Sequence, residues 1–334
     1  MSNGRVDSFD LASEALRSNS LGDPADRQVP VYLPPGYDES GDRRYPVVVV
    51  LTGFTGRGVM ALNRSGWGEG IDQRMDRLIA SGACPPMILV LPDCFTRLGG
   101  SQYLDSSATG PYETYVVREV VPEVDRRYRT LADRRHRGVM GKSSGGYGAL
   151  VLGMRHPDVF GALASHSGDT AFEYCYRPDF PGVVRAAEKH GSLEKFLLDF
   201  EKSPKKSHDQ MMVLNILAMA ACYSPNPSKP SPLAFDLPFD LATGEIEGTV
   251  WKKWAAWDPV EMADAHAEAL RSLRLVFLDC GRRDEFRLDV GARILAARLR
   301  ALGVPFEHEE FDDGHMDIQY RYDVSLPKLA KALA

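Results

Sequence analysis

Hydrophobic and polar positions alternate along this chain in two distinct rhythms. Residues 47–51, Val-Val-Val-Val-Leu, are apolar at every position. That is the pattern of a strand buried on both faces of a sheet. Residues 87–91 (Met-Ile-Leu-Val-Leu) repeat it and stop at Pro92-Asp93. Residues 27–33 instead alternate polar and apolar before Pro34-Pro35-Gly36, which predicts an edge-type antiparallel strand. Further strands are expected at 137–140, 160–165, 273–279 and 306–311.

Between them the period changes to that of a helix. Ile71, Met75, Leu78 and Ile79 share one face of residues 70–80, and Val116, Val117, Val120, Val121 and Val124 one face of 112–128. Pro122 should kink that second helix or mark its last turns. Residues 144–155, 291–302 and 326–333 complete the helices. Strands separated by helices imply an α/β fold with a mostly parallel central sheet flanked by helices. The alternation fails from about 171 to 257, where helical pieces at 193–200 and 211–222 surround a Pro-rich stretch at 225–238. The expected organisation is therefore a core of residues 1–170 and 258–334, interrupted by a lid or cap insertion at 171–257.

Residues 141–145, Gly-Lys-Ser-Ser-Gly, match G-x-S-x-G between a strand and a helix. A strand-to-helix elbow is tight enough to require small flanking residues, and it lifts the serine hydroxyl above the sheet. The glycine spacing selects Ser143 as nucleophile over Ser144, whose backbone N–H becomes an oxyanion donor. The second donor should come from Gly53 or Phe54, in the loop after the 47–51 strand. In such folds the partners follow in the order serine, acid, histidine. His315 lies in a turn after the last strand and is the candidate base. His308 falls within that strand, and His136, His156 and His190 fall at element ends. Asp284, on the loop after the 273–279 strand, is the candidate orienter and is favoured over Asp279, which sits closer to the strand. Asp258 reads as a helix cap, and Asp312 and Asp313 are too near His315 in the chain. Lys142, His166 and Tyr103 are candidate pocket residues, although a satisfied structural role suits His166 equally well.

Composition narrows the partners. A net charge of −6 with a pI near 5.8 lacks the concentrated basic face that nucleic acid or an anionic membrane surface requires. The densest basic run, Lys202, Lys205 and Lys206, reads as a solvated loop. No apolar run is long enough to cross a bilayer. Five dispersed cysteines without a C-x-x-C, and a start lacking a signal-like pattern, lead us to expect a cytoplasmic protein with reduced thiols. No P-loop, G-x-G-x-x-G, H-E-x-x-H or EF-hand pattern occurs, so no metal or nucleotide cofactor is expected. The sequence leaves self-association open.

Several stretches together resemble the esterase D-like family of α/β-hydrolases. They are residues 31–38 (Val-Tyr-Leu-Pro-Pro-Gly-Tyr-Asp), Arg44-Tyr45-Pro46, Tyr112-Glu113-Thr114 with residues 124–129, and residues 141–150. Ser165-His166-Ser167-Gly168, residues 279–286 and Gly314-His315 complete the set. The resemblance covers about residues 25–170 and 270–333. It implies an α/β-hydrolase fold, hydrolysis of a small-molecule carboxylic ester, and the triad Ser143–Asp284–His315. The family includes S-formylglutathione hydrolases, enterochelin, feruloyl and acetyl-xylan-type esterases, and mycolyltransferases. Lys142 and Ser144 stand where the formylglutathione enzymes usually carry His and Met, and Gly56 replaces their usual cysteine. Residues 171–257 match no pattern of the family. An acyltransferase, with an alcohol replacing water, and a catalytically silent binding module are the rival readings.

Overall fold

The computed structural model describes residues 3–334. Eight strands form one sheet: β1 (Arg5–Ala12), β2 (Asp26–Leu33), β3 (Val47–Leu51), β4 (Ile88–Val90), β5 (Arg137–Lys142), β6 (Ala162–His166), β7 (Leu275–Gly281) and β8 (Glu307–Phe311). Their order across the sheet is β1-β2-β4-β3-β5-β6-β7-β8. The β1–β2 and β2–β4 pairs are antiparallel and every other pair is parallel.

The unbroken apolar run of β3 explains its central place. Val47, Val49 and Leu51 point into the core on one side, while Val48 and Val50 point into the core on the other. Helices α1 (Ile71–Ala80) and α9 (Tyr322–Leu333) cover the second side through Met75, Leu78, Leu326, Leu329 and Leu333. The first side is covered by α2 (Val121–Arg127), α3 (Ser144–Arg155), the long insertion and α8 (Leu288–Ala301).

Two expectations need correction. The strand at 27–33 is not the sheet edge, because β1 pairs outside it along its full length. Only Phe9 of β1 is fully buried, so the edge strand carries almost no apolar signal. The helix at 112–128 is also not a single kinked rod. Tyr112–Thr114 leads into a wider π-type turn over Tyr115–Val120, and Pro122 falls in the first turn of α2. Pro122 has no N–H for the usual bond to the preceding turn, and the wider turn accommodates the gap.

Between β6 and β7 the chain builds α4 (Phe180–His190), α5 (Leu193–Lys202), α6 (His208–Tyr223) and α7 (Gly248–Ala255). These helices share their apolar core with α3. Phe172 lies 4.8 Å from Tyr176 and 4.9 Å from Tyr223 between ring centroids, and Tyr223 lies 5.8 Å from Tyr147 of α3 and 5.3 Å from Trp254. Asp258 caps the next helix as expected, accepting from Val260 N. It also accepts from Ala171 N and Phe172 N, so the two ends of the insertion are pinned together. No helix among the described residues is long and apolar enough to cross a membrane.

Candidate active site

Ser143 sits between β5 and α3 with φ 57° and ψ −126°, a conformation that costs an L-residue energy. Its surroundings enforce the turn. A Cβ on Gly145 would meet Leu51 O at 2.2 Å, and one on Gly141 would meet the Gly145 carbonyl at 2.4 Å. Only glycine fits at either place. Ser143 N donates to His166 O at 2.9 Å, and Ser167 N to Asp279 O at 2.8 Å, so the carboxyl ends of β5, β6 and β7 stand side by side. Ser144 opens α3, where the first N–H groups of a helix have no acceptor within it.

The loop after β3 packs directly on this elbow. A Cβ on Gly53 would lie 3.3 Å from Ser143 Cβ and 3.9 Å from Ser143 Oγ. Gly56 N bonds back to Gly53 O, and Thr55 N bonds to Gly99 O. Neither Gly53 N–H nor Phe54 N–H donates to a protein acceptor among the described residues. Tyr103 holds the loop in place: its hydroxyl donates to Thr52 O at 2.6 Å, and its ring lies against Gly148 of α3. Gly53, Phe54, Gln102, Tyr103 and Ser144 help to line a cavity of about 10 Å³ beside the elbow, room for one water. A cleft of about 520 Å³ lies elsewhere, among Asp179, Arg185, Lys189, His208 and Met212 of the insertion, and includes none of the candidate site residues.

Asp284 and His315 are brought together as the sequence suggested. His315 Nδ1 lies 2.8 Å from Asp284 Oδ2, and both residues are buried. Burial pushes the Asp284 carboxyl up. The hydrogen bond and charge of His315, with Phe286 N and Leu288 N on Oδ1, outweigh that and hold it below the usual range. The loop carrying His315 is fixed by Glu285, whose Oε2 accepts from His315 N at 2.7 Å. The Phe286 ring meets the imidazole edge-on at 4.7 Å. His315 Nε2 has no hydrogen-bond partner among the described residues, and no hydrogen bond joins it to Ser143 Oγ.

Two candidate pocket residues behave differently. His166 is a correction: it is wholly buried, its Nδ1 paired with Asp279 Oδ1 at 2.6 Å and its Nε2 with Ser325 Oγ at 2.8 Å. With both nitrogens engaged it cannot face a substrate, and Asp279 is structural. Lys142 is half-buried and does not line the small cavity. Burial lowers its ammonium pKa, opposed by the nearby carboxylates of Asp284, Asp317 and Glu285.

One group near the elbow was not anticipated. Asp169, just beyond β6, is buried and accepts from Tyr176 OH at 2.7 Å, Gln102 Nε2 at 3.1 Å and Ser144 Oγ at 3.3 Å. Burial raises its carboxyl pKa, only partly offset by those donors and by the charge of His315. Its one local signal was its place after Ser165-His166-Ser167-Gly168.

Strand order, the elbow after β5 and the Asp–His pair beyond β7 and β8 define the α/β-hydrolase fold. Solved structures agree. A ferulic acid esterase superposes with a TM-score of 0.65 over 99% of each chain at 24% identity. The S-formylglutathione hydrolase of Agrobacterium tumefaciens gives 0.60 over 99% of this chain and 96% of that one, at 18% identity. The chain belongs to the family described as Putative esterase, whose sequence model matches residues 18–320. Among curated relatives, an esterase of Mycobacterium tuberculosis is 34% identical over 166 residues, 48% of this chain and 32% of that protein. An endo-1,4-beta-xylanase/feruloyl esterase of Xylanibacter ruminicola is 28% identical over 152 residues, 42% of this chain and 19% of that protein. The matches thus span about a third or less of those relatives' length.

Proposed function

We propose that the protein is a serine hydrolase that cleaves carboxylic esters of small molecules, with Ser143 as nucleophile, His315 as base and Asp284 as its orienter. The observation that carries this reading is a histidine whose Nδ1 is held by a buried carboxylate while its Nε2 is free, on the same sheet edge as a strained serine. Membership of an esterase family supports it.

The chemistry follows from the positions. His315 Nε2 takes the Ser143 proton as Oγ attacks the ester carbonyl, and Asp284 stabilises the imidazolium that forms. The carbonyl oxygen, now negative, is received by Ser144 N–H and by Gly53 or Phe54 N–H, worth a few kcal/mol per donor. The imidazolium returns its proton to the departing alcohol as the C–O bond breaks, leaving an acyl group on Ser143. Water then attacks this acyl-enzyme, giving its proton to His315, and the acid leaves as Ser143 regains its hydrogen. Residues 171–257 act as a cap that shapes the pocket. Their continuity with the core under α3 supports a cap that stays in place as a whole.

The test is hydrolysis of 4-nitrophenyl butyrate by the wild type and Ser143→Ala. The expected outcome is turnover that falls at least about 10⁴-fold in the variant. Equal turnover by the two proteins would refute the assignment of Ser143.

A further inference from the structure

The mechanism makes no use of Asp169, yet its Oδ2 lies 3.3 Å from the hydroxyl of Ser144, the residue that supplies an oxyanion donor. Oδ2 is satisfied by three neutral donors, and no Lys or Arg pairs with the carboxylate among the described residues. Oδ1 has no protein partner. Unlike Gln102 Oε1, it is not among the fully buried side-chain atoms that lack a partner, so part of the 6% of surface that the residue keeps open lies at Oδ1. A second unmatched atom lies alongside. Gln102 points its Nε2 at Asp169 Oδ2, Tyr176 OH and Tyr223 OH, which turns its Oε1 the other way, buried and without a partner. Flipping that amide would set two acceptors against each other, so its orientation is fixed by chemistry.

Both unmatched atoms are therefore acceptors, and what is missing is a donor. A purely structural staple would need Oδ2 alone and would leave the open Oδ1 without a purpose. Gln102 and Tyr103 are also held at φ 50° and 57°, so the backbone accepts strain to present this amide.

We propose that Asp169 is a specificity-determining residue whose Oδ1 accepts a hydrogen bond from a hydroxyl group of the bound ester, close to the scissile carbonyl. The protein then selects hydroxyl-bearing esters over plain alkyl esters. A plain ester displaces water from Oδ1 and leaves a desolvated carboxylate oxygen empty, whereas a hydroxyl fills it. This inference rests on the serine-esterase reading. The hydroxyl could belong to the acyl part or to the alcohol part, and matched substrates separate the two.

The experiment measures kcat/KM for two pairs: 4-nitrophenyl 3-hydroxybutyrate against 4-nitrophenyl butyrate, and glycerol monobutyrate against propyl butyrate. The wild type is expected to favour the hydroxylated member of one pair by about tenfold or more, and that pair identifies the source. Asp169→Asn should bring the ratio towards one. Tyr176→Phe, which removes a donor from Oδ2 and leaves Oδ1 in place, should keep the preference. A wild-type ratio near one in both pairs overturns the proposal and needs no variant to fold. So does an Asp169→Asn protein that loses both members of the pair alike, because that is the mark of a residue that only props up the elbow. Absence of turnover on all four esters, with no fluorophosphonate adduct on Ser143, removes the esterase reading itself and this inference with it. Turnover of the plain esters through Ser143 keeps the two failures distinct.

Discussion

Two aspartate–histidine pairs sit on neighbouring parts of the same sheet, and they share almost every local property. His166 and Asp279 are cross-strand partners on β6 and β7, with 2.6 Å between Nδ1 and Oδ1. His315 and Asp284 lie on the loops beyond β8 and β7, with 2.8 Å between Nδ1 and Oδ2. All four residues are buried. The difference lies at the second nitrogen. His166 Nε2 is taken by Ser325 Oγ, and Asp279 is taken again by Arg321 Nε at 2.8 Å. This pair therefore ties β6 and β7 to the carboxyl-terminal helix. His315 Nε2 is left free. A buried Asp–His pair is thus no evidence of chemistry by itself; a base needs its far nitrogen open, and only a loop, not a strand packed under a helix, leaves it so.

Substitutions should separate the two pairs by what they damage. The largest effects fall on His315→Ala and Asp284→Asn, which should lower kcat on 4-nitrophenyl butyrate by about 10⁴-fold or more, with only a modest loss of urea stability at pH 7. Asp279→Asn should do the reverse. It takes this carboxylate from buried His166 and from half-buried Arg321, which keeps Glu309, and should cost about 3 kcal/mol in urea unfolding, with kcat per folded molecule retained.

The pairs can also be parted by acid. Asp284 has its carboxyl held below the ordinary value in the folded chain. Its stabilising contribution is therefore complete above the unfolded value near about pH 4 and is lost as pH falls through the folded one. Urea titrations from pH 7 to pH 3 should show the wild type losing its margin over Asp284→Asn in that acid window. A margin that stays constant would break the assignment of the carboxylate as charged. The smallest effect is expected from Ser325→Ala, which removes only the cap on His166 Nε2. It should cost about 1 kcal/mol in the same unfolding assay and leave kcat unchanged.

The legible parts of this site were the ones where a single short segment carries the constraint. Gly141 and Gly145 flank the serine because a Cβ at either place would collide with backbone, so the elbow is written in consecutive letters. Asp284 and His315 could be located from chain order and from the loops that must follow β7 and β8. The central strands were clear because burial on both faces demands unbroken apolar runs. Strand β1 was missed for the opposite reason, since an exposed edge places few demands on its side chains. The polar cluster around Asp169 was also invisible in advance. Gln102, Ser144, Asp169, Tyr176 and Tyr223 come from distant stretches of chain, and only the packing of the insertion against α3 brings them together. His166 shows the same limit. Its position at the end of a strand fitted a pocket, and only Ser325, from the far end of the chain, reveals that it is occupied.

Ser143 is proposed as the activated nucleophile, with His315, not His166, activating it. Labelling with a fluorophosphonate probe, followed by peptide mass spectrometry of the adduct, tests this most directly. The wild type should carry a single adduct on Ser143, formed much more slowly in His315→Ala and at the normal rate in folded Ser325→Ala. An adduct on Ser144, or labelling of Ser143 that ignores the loss of His315, would contradict this assignment.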